Sequence, residues 1–243
     1  MQIVIQKFGG SSVADNDKLH KVCDRIIEEK KKNKAVVVVV SAQGKTTDSL
    51  ISQEKELSNN ANKREHDMLV TVGEQITIAK LAICLQELGY KAKSFLGWQV
   101  PIITNSNYGD ADILEIKTSK ILQELENDTI VIIAGFQGVD VNGEITTLGR
   151  GGSDTTAISL AIALKAEKCE LFKDVDGIYS GDPKKDTNVV KYKKINYDQM
   201  LELANKGAKV LHTKCIKMAK ENLLQIIVKS TFIKNSRGTI VKC

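Results

Sequence analysis

Much of what marks common protein classes is scarce in this 243-residue chain. Proline occurs only at Pro101 and Pro183, which excludes proline-rich linkers and recognition segments. Aromatics make up 5% and only four of the 35 basic residues are arginines (Arg25, Arg64, Arg150, Arg237). A nucleic-acid binder would interleave arginines with stacking rings, so the net charge of +5 does not point to DNA or RNA. The Glu28-Glu29-Lys30-Lys31-Lys32 run reads as the solvated end of a helix, with cations near its C-terminus. The five cysteines (Cys23, Cys84, Cys169, Cys215, Cys243) are scattered and form no CxxC pair, so a reducing cytoplasm is the expected compartment. No apolar run is expected to reach the roughly 20 residues of a membrane span, and the first residues, broken at Lys7, do not read as a signal peptide. The three histidines (His20, His66, His212) lack metal-ligand spacing and a nucleophile partner, so they read as structural.

Two motifs are present only in imitation, and a third is absent. Gly44-Lys45-Thr46 follows a strand-like run as a P-loop would, but Val39 stands where the first glycine is required. Asp174-Val175-Asp176-Gly177 resembles a calcium loop, but its glycine arrives two residues early and Ile178 cannot ligate. No GxGxxG occurs, which argues against a Rossmann dinucleotide site.

What is present is an ordinary globular composition, 42% hydrophobic and 27% charged, in alternating strand and helix patterns. Ile3 to Gln6, Ala35 to Val40, Lys91 to Phe95, Val100 to Thr104, Thr129 to Ala134, Glu170 to Phe172 and Leu224 to Lys229 read as strands. Helices are expected over Asp15 to Lys32, Ser52 to Asp67, Met68 to Leu88 with a break near Gly73, Ile113 to Leu125, Ala157 to Leu164, Asp198 to Asn205 and Lys214 to Asn222. An Asn-Gly hairpin turn is expected at Val141-Asn142-Gly143-Glu144. This order predicts an α/β fold, a three-layer sandwich around a mainly parallel sheet. Ligands in such folds sit beyond the carboxyl ends of the strands, where nearly every glycine-rich loop of this chain falls.

The most informative stretch is Gly149-Arg150-Gly151-Gly152-Ser153-Asp154-Thr155-Thr156, between a short extended segment and an apolar helix. Glycines allow close backbone approach, and a helix start exposes unpaired N–H groups, which together suit an anion. Taken alone, a glycine turn with an N-capping Ser or Asp explains the stretch slightly better.

The loops as a set resemble the amino acid kinase superfamily and, within it, the aspartate kinases. The resemblance spans the chain and rests on Lys7-Phe8-Gly9-Gly10-Ser11-Ser12, Gly73-Glu74-Gln75, Gly149 to Asp154, Asp174-Val175-Asp176-Gly177-Ile178-Tyr179, Asp182-Pro183 and Gly207-Ala208-Lys209-Val210-Leu211-His212. It implies transfer of the γ-phosphoryl of ATP, with Mg2+ held mainly through the phosphates, to the side-chain carboxylate of aspartate, the first step toward lysine, threonine and methionine. By the same resemblance Lys7, Asp154 and Lys209 would be catalytic. Ser41, Thr47, Glu74, Phe136, Arg150, Gly151, Gly152 and Ser153 would bind the amino acid, Arg150 through its α-carboxylate and Glu74 through its ammonium. Lys7, Phe8, Gly9, Gly10, Ser12, Lys173, Asp174, Tyr179, Lys184, Lys209 and Val210 would contact the nucleotide.

The chain departs from the family pattern at Lys173, Lys184 and Thr213, where relatives carry Thr, Arg and Pro. A substrate lobe over residues 1–168 and a nucleotide lobe over 169–243 are expected, with no ACT regulatory domain. The expected partner is L-aspartate, with neither nucleic acid nor membrane, and homo-oligomerisation is left open. Two other readings stand beside this one. The same fold could take glutamate, N-acetylglutamate or UMP, or it could serve as a non-catalytic ligand-binding subunit.

Overall fold

The computed structural model describes residues 1–181, 188–208, 210–234 and 236–243. The strands are Ile3–Phe8 (β1), Ala35–Val40 (β2), Ala92–Phe95 (β3), Ile102–Thr104 (β4), Ile113–Ile116 (β5), Ile130–Ala134 (β6), Gln137–Val139 (β7), Ile145–Thr147 (β8), Lys168–Lys173 (β9), Lys194–Ile195 (β10), Ile226–Ser230 (β11) and Thr239–Val241 (β12). The helices are Asn16–Lys30 (α1), Thr46–Leu57 (α2), Lys63–Val70 (α3), Val72–Glu87 (α4), Ser119–Glu126 (α5), Gly152–Ala163 (α6), Tyr197–Asn205 (α7) and Thr213–Glu221 (α8).

Burial explains why the β-branched run Val36 to Val40 is a central strand. All of its side chains are fully buried, as a strand covered on both faces requires. It lies inside an eight-stranded sheet of order β10-β12-β11-β9-β1-β2-β6-β3. Pairing is parallel except where β12 runs against β11. One face carries Ile5, Val39, Ile133 and Leu171, packed with Ile158 and Leu160 of α6 and Ile216 of α8. The other carries Val38, Ile132 and Phe8, packed with Val22 and Ile26 of α1 and Leu81 and Leu85 of α4. The expected three-layer α/β sandwich is therefore present. The chain leaves β1 through α1 on one face, whereas it passes from the neighbouring β9 to β11 through α8 on the other. This creates the crevice at the strand carboxyl ends where α/β folds bind ligands.

A four-stranded sheet of order β5-β4-β7-β8 flanks this crevice. It corrects one expectation, since Ile113 to Ile116 is a strand and only the later half of the expected helix is helical. Ile116 pairs with Ile102 and Glu115 with Ile103, so cross-strand pairing overrides a helical pattern that runs on from Ser119. The helical region expected from Ser52 begins earlier, at Thr46, whose hydroxyl donates to the Gln43 carbonyl at 2.7 Å. It is interrupted over residues 58–62, and the second break falls at Thr71 rather than Gly73.

The Lys63–Glu87 stretch corrects another. Its 25 residues are long and apolar enough to cross a membrane by length and composition. Half of its most apolar part is buried, and Ile78, Leu81 and Leu85 of α4 pack on the sheet. The main sheet also runs without interruption through residues on both sides of position 168.

Candidate active site

Four chain crossings meet at the carboxyl ends of β1, β2, β6 and β9. The turn after β1 passes so close to the turn after β2 that a Cβ on Gly10 would lie 2.8 Å from the Ala42 carbonyl oxygen, which restricts that position to glycine. Lys7 sits opposite Leu171 in the β1–β9 register, and Lys173 ends β9. Both lysines point at the first turn of α6. Lys7 Nζ lies 2.7 Å from Asp154 Oδ1, and Lys173 Nζ lies 2.6 Å from Asp154 Oδ2. Asp154 is 4% exposed and Lys7 6%.

Burial by itself would push the Asp154 carboxyl up, but the two ammonium groups outweigh it and hold the group well below the usual carboxylate range. Burial also draws the Lys7 ammonium below its ordinary value, with Lys173 adding to that effect and Asp154 opposing it. The helix start favours the carboxylate as well. The result is a desolvated cluster in which two cations share one anion.

Glu74 presents the opposite situation. It stands in the first turn of α4, 2% exposed. Its Oε1 accepts a hydrogen bond from Ala42 N at 2.9 Å, while its Oε2 is buried with no donor. Burial pushes its carboxyl up to about 7, against the pull of the Ala42 N–H.

Arg150 is exposed on the loop between β8 and α6 and makes no ion pair among the described residues. The α6 N-cap, Gly151, has φ 75°, and a Cβ there would fall 2.3 Å from the His212 ring, so both backbone angle and space demand glycine. Ser41 Oγ donates to Ser153 Oγ at 3.0 Å, which ties the end of β2 to α6. Phe136, just past β6, has φ 70°. Its N–H donates to Thr156 Oγ1 at 3.1 Å, which helps hold an angle that non-glycine residues rarely adopt.

One cavity of about 430 Å³ collects most of the residues singled out from the sequence: Lys7, Gly10, Ser41, Thr47, Glu74, Phe136, Arg150, Gly151, Gly152, Ser153, Asp154, Lys173 and Val210. Its walls also include His212, Ala42, Gly44 and Gly149. His212 was set aside as structural because nothing in its spacing shows that α8 begins against Gly151.

Other residues lie elsewhere. Phe8 is fully buried, stacked on Phe172 with ring centroids 4.5 Å apart. Ser12 is fully buried and shares a 2.7 Å hydrogen bond with Thr231. Gly9 adjoins Lys7, with room for a Cβ 3.5 Å from its Nζ. Asp174 is exposed, and the half-buried Tyr179 donates its hydroxyl to Asp176 Oδ1 at 2.5 Å. Lys184 and Lys209, with the Asp182-Pro183 pair, lie outside the described residues. Among the described residues no group of three or more His, Cys, Asp or Glu side chains could hold a metal, and both oxygens of Asp154 face lysines.

Comparison with known proteins finds that the model of the amino acid kinase family matches residues 2–230. An aspartokinase of Geobacillus stearothermophilus is 52% identical over 242 residues, covering 100% of this chain and 59% of that protein. The chain thus spans 59% of the length of this curated relative. The crystal structure of aspartate kinase from Synechocystis superposes with a TM-score of 0.88 at 40% identity, over 99% of this chain and 40% of that one. The structure of E. coli aspartokinase III in complex with aspartate and ADP gives a TM-score of 0.88 at 28% identity, over 99% and 64% of the two chains.

Proposed function

This chain belongs to the amino acid kinase family, and from that premise we propose that it catalyses ATP-dependent phosphorylation of the side-chain carboxylate of L-aspartate to 4-phospho-L-aspartate. One observation carries the reading. The wall of a single cavity carries a buried, prepaired Lys7–Asp154–Lys173 cluster and, as a second set, Glu74, whose Oε2 has no donor, and Arg150, which makes no ion pair among the described residues. The first suits a migrating phosphoryl group. The second suits the ammonium and α-carboxylate of a free amino acid.

Phosphoryl transfer asks little covalent chemistry of the protein and depends on positioning and charge stabilisation. Lys7 and Lys173 neutralise the charge that spreads over the equatorial oxygens. Asp154 fixes both ammonium groups and accepts no proton, being held well below the usual range. No general base is needed, because the attacking carboxylate is ionised near neutral pH. Arg150 grips the α-carboxylate through its planar fork, and Glu74 Oε2 receives the substrate ammonium. Ser41, Thr47, Ser153 and the Phe136 wall complete the amino-acid side, with Gly151 and Gly152 offering helix-start N–H groups.

On the nucleotide side we assign Gly10, Lys173 and Val210 of the cavity wall, with Gly9, Asp174 and Tyr179 beyond it and, on the resemblance alone, Lys184 and Lys209; Phe8 and Ser12 support the turn after β1 from within the core. Mg2+ would supply further neutralisation of the phosphates. The donors among the described residues fit an ion carried in by the nucleotide rather than a protein cage. We also assign residues 1–168 to the amino-acid side and 169–243 to the nucleotide side of the shared sheet. All five cysteines are free thiols, in keeping with a cytoplasmic setting.

Trapping the acyl phosphate as a hydroxamate tests the reading. Purified chain would be given MgATP with aspartate, glutamate, N-acetylglutamate or UMP offered separately. Aspartate-dependent hydroxamate is the expected result, and turnover with UMP or N-acetylglutamate alone would overturn the acceptor assignment.

A further inference from the structure

Glu74 and Arg150 can act as a two-point clamp only if their separation is fixed, yet one stands on α4 and the other on the loop after β8. A fully buried carboxylate that none of the cavity chemistry uses lies between their supports. Asp67, on α3, is 0% exposed. Its Oδ2 accepts from Thr147 N at 2.8 Å and from Gly109 N at 3.0 Å, and its Oδ1 accepts from Thr147 Oγ1 at 2.8 Å.

Thr147 is the last residue of β8, three positions before Arg150. Gly109 leads into Asp110, whose carboxylate crowds the far side of the same loop: a Cβ on Gly149 would lie 2.4 Å from Asp110 Oδ1. Asp67 therefore holds the Arg150 loop from two directions. A second fastening lies nearby, where the fully buried Gln137 donates through Nε2 to the Thr71 carbonyl at 3.1 Å. Thr71 is the hinge residue between α3 and α4, three positions before Glu74, and Gln137 adjoins Phe136 of the cavity wall.

We infer that Asp67 is a positioning residue that sets the span between the ammonium-binding Glu74 and the carboxylate-binding Arg150, and so selects for a free α-amino acid. The inference rests on the amino-acid kinase reading above. Asp67 touches neither the cavity nor the Lys7–Asp154–Lys173 cluster, so its effect should fall on the amino acid and spare the nucleotide. Removing the carboxylate would strand three donors, Gly109 N, Thr147 N and Thr147 Oγ1, and buried donors without a partner are costly, so its loss releases the loop rather than leaving it in place.

The experiment is steady-state kinetics of the whole chain carrying Asp67→Ala, Asp67→Asn or Thr147→Val, varying aspartate and ATP separately. Asp67→Ala should raise the aspartate KM about tenfold or more while the ATP KM stays within about twofold, the scale expected for two or three lost hydrogen bonds. Asp67→Asn should restore most of the loss, because the amide oxygen can accept both N–H groups while its NH2 donates to Thr147 Oγ1. Thr147→Val, which removes one donor, should raise the aspartate KM about threefold. A folded Asp67→Ala enzyme with unchanged aspartate KM, or one that loses kcat with both KM values unchanged, would overturn the inference. If Asp67→Ala does not fold, Thr147→Val decides, and an aspartate KM equal to wild type counts against the tie. A wild-type chain with no aspartate-dependent turnover would instead sink the functional reading, and this inference with it.

Discussion

Asp154 and Glu74 are both carboxylates in the first turn of a helix, both almost completely buried, and both in the same cavity. Asp154 faces two ammonium groups and is held well below its ordinary range, whereas Glu74 has one backbone donor and is pushed up to about 7. The fold completes one site internally and leaves the other for a ligand to complete. Phosphoryl chemistry needs fixed charge at all times, since reorganisation during transfer would raise the barrier. Amino-acid recognition instead gains selectivity from a buried group that only the correct ligand can satisfy.

The sharpest way to break the contrast is Lys7→Ala, which should lower kcat by about 100-fold or more, on the scale of a lost transition-state donor. A near-normal rate in a folded variant would remove Lys7 from the transfer step. Arg150→Lys acts on the open side, keeping charge but losing the two-pronged contact. An aspartate KM raised about thirtyfold with little change in kcat is expected, and unchanged aspartate kinetics would place Arg150 outside the site.

The pH dependence separates the two carboxylates further. Glu74 must ionise to accept an ammonium, so the aspartate KM should rise up to tenfold per unit as pH falls below about 7. Glu74→Gln should flatten that rise while weakening binding at every pH, and a wild-type KM constant from pH 8 to 6 would contradict the assignment.

The smallest expected effect concerns stability. A folded-state value raised from 4.5 to about 7 means that Glu74 favours the fold most below 4.5 and loses that contribution as pH rises through 7. Glu74→Gln should therefore stabilise the ligand-free protein relative to wild type at pH 8 but not at pH 4. The bound is about 3 kcal/mol, and about 1 is expected after local relaxation. Equal thermal shifts at both pH values would dismiss it.

The fold was legible where one interaction dominates. Ala35 to Val40 could hardly be other than a doubly covered strand, and the Ala157 to Leu164 run belongs to a buried helix. Ile113 to Ile116 departs from the expectation because its apolar residues continue the spacing of the helix that follows, while its real partner is β4, from Thr104 against Ile113 to Ile102 against Ile116. Lys194–Ile195 and Thr239–Val241 are too short to show a period. Within the site, glycines, Lys7, Arg150 and Asp154 stand out as residue types in turns. Asp67 does not, because its partners Gly109 and Thr147 lie 42 and 80 positions away, and neighbouring residues carry no trace of such contacts. His212 was hidden for the same reason.

The alternation along β1 has one more consequence. Ile3 and Ile5 face α6, whereas Phe8 is sealed in the opposite layer beneath α1 and α4. A slip of one residue in pairing with β2 or β9 would drive the Lys7 ammonium into that apolar layer and turn Phe8 onto Asp154. A charge stranded in such surroundings is among the worst errors a core can contain. A lysine at this position thus also penalises mispaired chains during assembly.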